Sequence, residues 1–156
     1  MGGEGLSILL VAESFFVRHY FSCLFEDRHT VRFAASGNEA LEKAKKAKKA
    51  KKTEKTKMCL SDPKEGLRPF DLIFVNDYLP DMGMAELLKK ISREQPEAKS
   101  FVLLTHSKDA KRYIEEYGVS GTITKPFTTR NILNMVKEAL PEEKLSAAGN
   151  LFYRFP

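Results

Sequence analysis

At 156 residues, 42% hydrophobic and 30% charged, the chain is sized for one domain with a proper apolar core. Its two cysteines, Cys23 and Cys59, are far apart and form no CxxC pair, which argues against a zinc site or a disulfide framework and for reduced thiols in a cytoplasmic setting. The net charge of +5 is a local property: nine lysines and one glutamate between Lys43 and Lys57 carry +8, so the remainder is slightly acidic.

The chain opens with an apolar strand, Leu6 to Val11, that ends at Ala12-Glu13-Ser14. The apolar run Ile8 to Ala12 is too short for a signal peptide or a membrane span, and Leu6 in place of a hydroxyl residue argues against myristoylation. Ser14 is placed to cap a helix reaching about Glu26, with Val17, Phe21, Leu24 and Phe25 as its inward stripe. A second strand follows at about Thr30 to Ala35, and Ser36 with Glu39 forms a capping box ahead of a second helix. Leu72, Ile73, Phe74 and Val75 form a continuous apolar run, as a central parallel strand covered on both faces requires. That strand ends in the polar pair Asn76-Asp77 and turns at Leu79-Pro80-Asp81. A helix from Gly83 to about Gln95 turns Leu87, Leu88 and Ile91 inward and closes at Pro96. Ser100 to Leu104 is a fourth strand ending at Thr105. A short helix from Asp109 to Tyr117 stops at Gly118. Gly121 to Thr124 is a fifth strand, followed by Lys125-Pro126, and Thr128 caps a last helix to about Leu140.

Strict alternation of strand and helix requires a parallel sheet with helices on both faces and right-handed crossovers. The predicted fold is therefore α/β: a flavodoxin-like (βα)5 three-layer sandwich with strand order 2-1-3-4-5. One domain spans residues 1–140, a lysine-rich insertion occupies about 45–69, and residues 141–156 form a tail with no output domain behind it. In such a sheet the working groups gather at the carboxyl ends of the strands. Ala12, Glu13, Asn76, Thr105 and Lys125 should thus meet. As a polar cluster, they would let Lys125 close on Glu13 while Asn76 and Thr105 satisfy loop backbone. Asp77, one residue after Asn76, is expected to point the opposite way. No histidine is placed for acid–base or nucleophilic catalysis: His19 falls on a helix, His29 in a turn and His106 in a loop. No phosphate-cradling Gly-rich loop follows the first strand. The chain is not expected to be an enzyme.

The segments ILLVAES, ASGNEALE, DLIFVNDYLPDM, VLLTHS and GTITKPF, in this order, resemble the receiver domain of two-component response regulators. The resemblance covers about Leu6 to Leu140. It implies a phosphorelay role, with an aspartate at the end of the third strand accepting a phosphoryl group from a histidine kinase. It also implies two acidic residues after the first strand that bind Mg2+, a hydroxyl after the fourth strand and a lysine before a proline after the fifth. Thr105 and Lys125 match, and Glu13 matches the second acidic position. Ala12 stands at the first acidic position, Asn76 at the phosphoacceptor, and Thr122 where many receivers carry an aromatic switch residue. A carboxamide does not replace a carboxylate as nucleophile. With one acidic ligand candidate, Glu13, left, no metal site is expected, Mg2+ binding should be weak or absent, and no other cofactor is implied. This is the pattern of an atypical, or pseudo-, receiver. It would be a stand-alone, phosphorylation-independent protein-interaction module in two-component signal transduction. Its partner would be a histidine kinase or another pathway protein, and a homodimer could form through the fourth-helix to fifth-helix face. An alternative keeps phosphorylation, at Asp77 or another residue.

The insertion carries Lys43, Lys45, Lys46, Lys48, Lys49, Lys51, Lys52, Lys55 and Lys57. Alanine and lysine favour helix, so the second helix is expected to run on to about Lys52, frayed by lysine–lysine repulsion, before a loop at Ser61 to Pro69. Ala44, Ala47 and Ala50 bury little area to anchor it. Nucleic acid is not an expected partner, because no aromatic residues interleave to stack on bases, and a membrane is not expected, because no bulky apolar face is present. Anion or nucleic-acid binding through Lys43–Lys57 remains a further alternative. Leu151, Phe152, Tyr153 and Phe155 make the tail a candidate for docking, on the domain itself or on a partner.

Overall fold

A computed structural model describes residues 5–25, 29–56 (by backbone alone from 48), 68–105, 108 and 110–141. The strands are β1 (Ser7–Val11), β2 (Thr30–Ala34), β3 (Leu72–Asn76), β4 (Lys99–Leu104) and β5 (Gly121–Thr124). The helices are α1 (Phe15–Phe25), α2 (Gly37–Thr56), α3 (Met84–Glu94), α4 (Ala110–Tyr117) and α5 (Thr129–Ala139). All four pairings are parallel, in the order β2-β1-β3-β4-β5. This is the α/β, flavodoxin-like architecture that the alternation of elements predicts. The aromatic tail, His106, the loop from Ser61 and Lys57 lie outside the described residues.

Strand β3 sits at the centre, and each of its five residues is buried. Phe74 points to one face, where its ring centroid lies 4.9 Å from Phe21, 5.2 Å from Phe101 and 6.2 Å from Phe25. That layer is completed by Ile132, Leu133 and Val136 of α5. Ile73 and Val75 point to the other face, against Ala40, Ala44 and Ala47 of α2 and Leu87, Leu88 and Ile91 of α3. The period of two along the strand thus assigns alternate residues to two separate apolar layers.

The helix starts follow their caps. Ser14 Oγ accepts Val17 N–H at 3.3 Å, and Thr128 and Asn131 cap α5 reciprocally. In α2, Ser36 Oγ accepts Glu39 N–H at 3.2 Å, but the Glu39 carboxylate returns to Ala35 N–H at 2.8 Å rather than to Ser36. Gly118 ends α4 with φ +68°, a left-handed conformation that glycine adopts without steric cost.

Helix α2 departs from expectation in two ways. It continues to Thr56, beyond the Lys52 limit read from the sequence. Ala44 and Ala47 are also fully buried, so the helix is seated on the domain at both positions. Small side chains allow that close approach, and a buried glutamine fastens it. Gln95, 5% exposed, donates from Nε2 to the Ala44 carbonyl at 2.9 Å and accepts Phe70 N–H on Oε1 at 2.9 Å. One side chain thereby joins the end of α3, the middle of α2 and the entry to β3. Replacing Gln95 by leucine leaves both backbone groups without this partner, which should cost about 2 kcal/mol in urea unfolding at an unchanged m-value.

Candidate functional site

Strand order brings the ends of β1, β3, β4 and β5 to one edge. Lys125 follows β5 directly, and its N–H donates to the Leu104 carbonyl at 2.8 Å, which fixes where its side chain starts. Its Nζ then donates to Asn76 Oδ1 at 2.6 Å. Asn76 is 8% exposed, and its Nδ2 donates to the Tyr78 carbonyl at 3.3 Å. Both ends of the carboxamide are therefore occupied. The oxygen takes the ammonium and the nitrogen clasps the turn that leaves β3.

Asp77 does not point away from Asn76 as alternation along a strand would have it. The alternation rule applies within a strand, and β3 ends at Asn76. Asp77 N–H still donates to Leu103 O at 3.0 Å, but its carboxylate swings to accept Thr105 N–H on Oδ2 at 2.6 Å. Its Oδ1 lies 3.6 Å from Lys125 Nζ. Lys125 thus bridges Asn76 and Asp77 and does not close on Glu13. Glu13 is exposed, and its carbonyl accepts Arg18 Nη2 at 3.5 Å. Ala12 is wholly buried, within the apolar layer beneath α1 and α5. Thr105 is exposed and brings its backbone N–H to the cluster. Thr122 is half-buried on β5, beside Val102.

Mg2+ requires several hard oxygen ligands in octahedral array. Here Ala12 offers none, and the Asn76 oxygen and both Asp77 oxygens already face donors. Among the described residues no group of three histidine, cysteine, aspartate or glutamate side chains is placed to hold a metal. The arrangement does not fit the ion. Its chemistry is that of a satisfied polar plug, with one ammonium shared between an amide and a carboxylate.

Other contributors are harder to read from sequence. Asp81, in the turn after β3, accepts Gly37 N–H at 2.8 Å and Asn38 N–H at 2.9 Å, so the β3–α3 loop caps α2 from a distance. These bonds, that from Asn38 first, hold the Asp81 carboxyl below its ordinary value. Tyr20 Oη and Thr129 Oγ1 share a hydrogen bond of 2.8 Å, and Phe127 packs edge-on against Tyr20 and Phe21. Three aromatic side chains stand out at the site's rim: Phe15 is 72%, Phe16 83% and Tyr78 65% exposed. The signal for the first two is in the sequence. Positions 15 and 16 fall roughly 130° from the centre of the inward stripe of α1 at 100° per residue.

No family model matches the sequence, and no curated protein sequence matches it. Solved structures do. A receiver domain protein of the CheY-like type from Methanospirillum hungatei superposes with a TM-score of 0.69 at 23% identity, covering 91% of this chain and 98% of that one. The chemotaxis response regulator CheY4 of Vibrio cholerae gives 0.66 at 24% identity, covering 87% of this chain and 99% of that one. The receiver domain of a sensor histidine kinase from Pseudomonas aeruginosa, which holds magnesium in its active-site cleft, gives 0.65 at 15% identity, covering 86% and 96%. The chain has the fold of response regulator receiver domains.

Two expectations follow from the geometry. Lys125→Met should shift the Asn76 side-chain amide signals in NMR and lower stability by about 1 kcal/mol, whereas Glu13→Gln should leave those signals in place. The contribution of Asp81 is full above the ordinary aspartate value of 3.8 and is lost as pH falls below it and through the lower native value. Asp81→Ala should therefore weaken the protein at neutral pH and flatten its loss of stability in acid, as read by urea midpoints across pH.

Proposed function

We propose that this chain is a receiver-fold signalling module that works through protein contact and without aspartyl phosphorylation. One observation carries the reading: the Lys125 ammonium rests 2.6 Å from the carbonyl oxygen of an amide, Asn76. An amide at this place offers no competent nucleophile for a phosphoryl group. The ammonium that would meet an incoming phosphoryl charge is already held by Asn76 and by Asp77 at 3.6 Å. Ala12 in the core and Thr122 on β5 favour the same reading, since neither supplies a metal ligand or an aromatic switch.

Such a module is non-catalytic and cytoplasmic. Its partner is a histidine kinase or another protein of a two-component pathway. Two surfaces are suited to contact. One is the rim of Phe15, Phe16 and Tyr78; the other is the α4–α5 face, where α4 has no fully buried residue and Ile114 is 45% exposed. The second surface would also serve a homodimer. No helix among the described residues is long and apolar enough to cross a membrane.

The position of Asp77 favours a second reading, in which its carboxylate is the phosphoryl acceptor. It lies beside Lys125 and Thr105, as an acceptor would need. That chemistry requires Asp77 to give up the Thr105 N–H and to recruit a cation.

The deciding measurement is an amide NMR titration with Mg2+ followed by beryllofluoride, a phosphoryl mimic, on wild type, Asn76→Asp and Asp77→Asn. Wild-type signals at Glu13, Thr105 and Lys125 should remain unmoved, and a phosphodonor should add no phosphoryl mass. Wild-type shifts that vanish in Asp77→Asn would overturn the first reading in favour of the second.

A further inference from the structure

From the wall of the domain, α2 continues well past Ala47. Gln95 binds the carbonyl of Ala44, Ala47 is fully buried, and the helix then runs nine residues further to Thr56. At 1.5 Å per residue this is about 13 Å of helix beyond Ala47. The helix starts at the carboxyl edge of the sheet, where Asp81 caps it, and so overhangs the opposite, amino edge. The overhang and the Lys125 site are at opposite ends of the molecule.

The charge on this rod is nearly pure. Positions 43–56 hold eight lysines and one glutamate, and from Glu42 to Thr56 no apolar residue is larger than alanine. The net charge of +7 over about 20 Å is roughly one positive charge per 3 Å of axis. Lys43 is tied to an acid on its own helix, Glu39, at 3.6 Å. A linear array of one sign is best neutralised by a linear array of the other. Duplex nucleic acid carries about one charge per 1.7 Å of axis, and its major groove is about 12 Å wide, enough to admit a helix.

We infer that the α2 overhang binds the phosphate backbone of duplex nucleic acid, without sequence preference. The residues between Phe33 and Phe70 include no aromatic, which argues against single strands, where base stacking carries affinity, and leaves duplexes untouched by the objection. The lack of a bulky apolar face argues against insertion at a membrane surface. Nothing in this inference depends on the state of Asn76.

The test uses the full chain and a labelled duplex DNA oligonucleotide, read by fluorescence anisotropy across salt concentration. About five neutralised phosphates give a slope of about −4.5 in log K against log salt, so a threefold rise in salt should weaken binding ~100-fold. Replacing Lys48, Lys49, Lys51 and Lys52 together by glutamine should remove most of the slope. Thermal stability and the Asn76 and Lys125 amide signals should stay unchanged. A control with Lys89, Lys90 and Lys111 changed to glutamine should bind like wild type. No binding at low salt would overturn the inference, as would binding that survives the four α2 substitutions. Equal or tighter binding to anionic phospholipid vesicles or to polyglutamate would overturn it in favour of another polyanion.

Discussion

Everything in this molecule is arranged about a strand that water cannot reach from either side. β3 lies between β1 and β4, and its alternate side chains enter two different apolar layers. Its backbone is paired along both edges, so no polar group within it is left to be solvated. At its entry Asp71 extends the pairing: the N–H donates to Ser7 O, the carbonyl accepts Lys99 N–H, and the carboxylate takes Ser7 N–H at 2.8 Å. A strand held this firmly delivers its last residue, Asn76, to a fixed point at the carboxyl edge.

What happens at that point is governed by polar satisfaction. An almost buried carboxamide has to find partners at both ends, and it does, in Lys125 and the Tyr78 carbonyl. The ammonium in turn is shared with Asp77, whose other oxygen holds the start of the β4–α4 loop. Asp81 reaches from the same turn to the N-terminus of α2. The loops at this edge are therefore tied to one another by side chains of β3's exit. An edge of this kind is braced in one arrangement. The proposed role as a docking platform rests on that bracing, with exposed Phe15, Phe16 and Tyr78 around it.

The opposite pole obeys different physics. Past Ala47 the sequence of α2 offers Ala50 as its one apolar residue, and its character is set by like charges along an axis. A helix can outrun its sheet because its hydrogen bonds are internal, whereas a strand that did so would expose unpaired backbone. The two poles are separated by the packed sheet, so the polyanion binding inferred for one would not need to disturb the other.

The order of elements, the sheet topology and most of the inward residues were legible in the chain itself. Alternating apolar runs and capped helices permit few parallel arrangements, and Phe21, Leu24, Phe25, Leu87, Leu88 and Ile91 are buried as their periodicity demands. The meeting of Asn76, Thr105 and Lys125 was legible too, because topology alone brings the ends of β3, β4 and β5 together, whereas Glu13 stays outside the cluster, Ala12 lies in the core and Asp77 joins instead. The partnerships within the cluster were not legible. Whether Lys125 meets Glu13 or Asn76 depends on the direction of one side chain leaving β5, and whether Asp77 faces inward depends on where β3 stops. The burial of Ala44 and Ala47 was equally hidden, since an alanine shows its worth only when a neighbouring helix comes close enough to use its smallness. Local sequence determines periodicity and capping; which polar atoms pair across four separate loops is decided only when the sheet has set the distances between them.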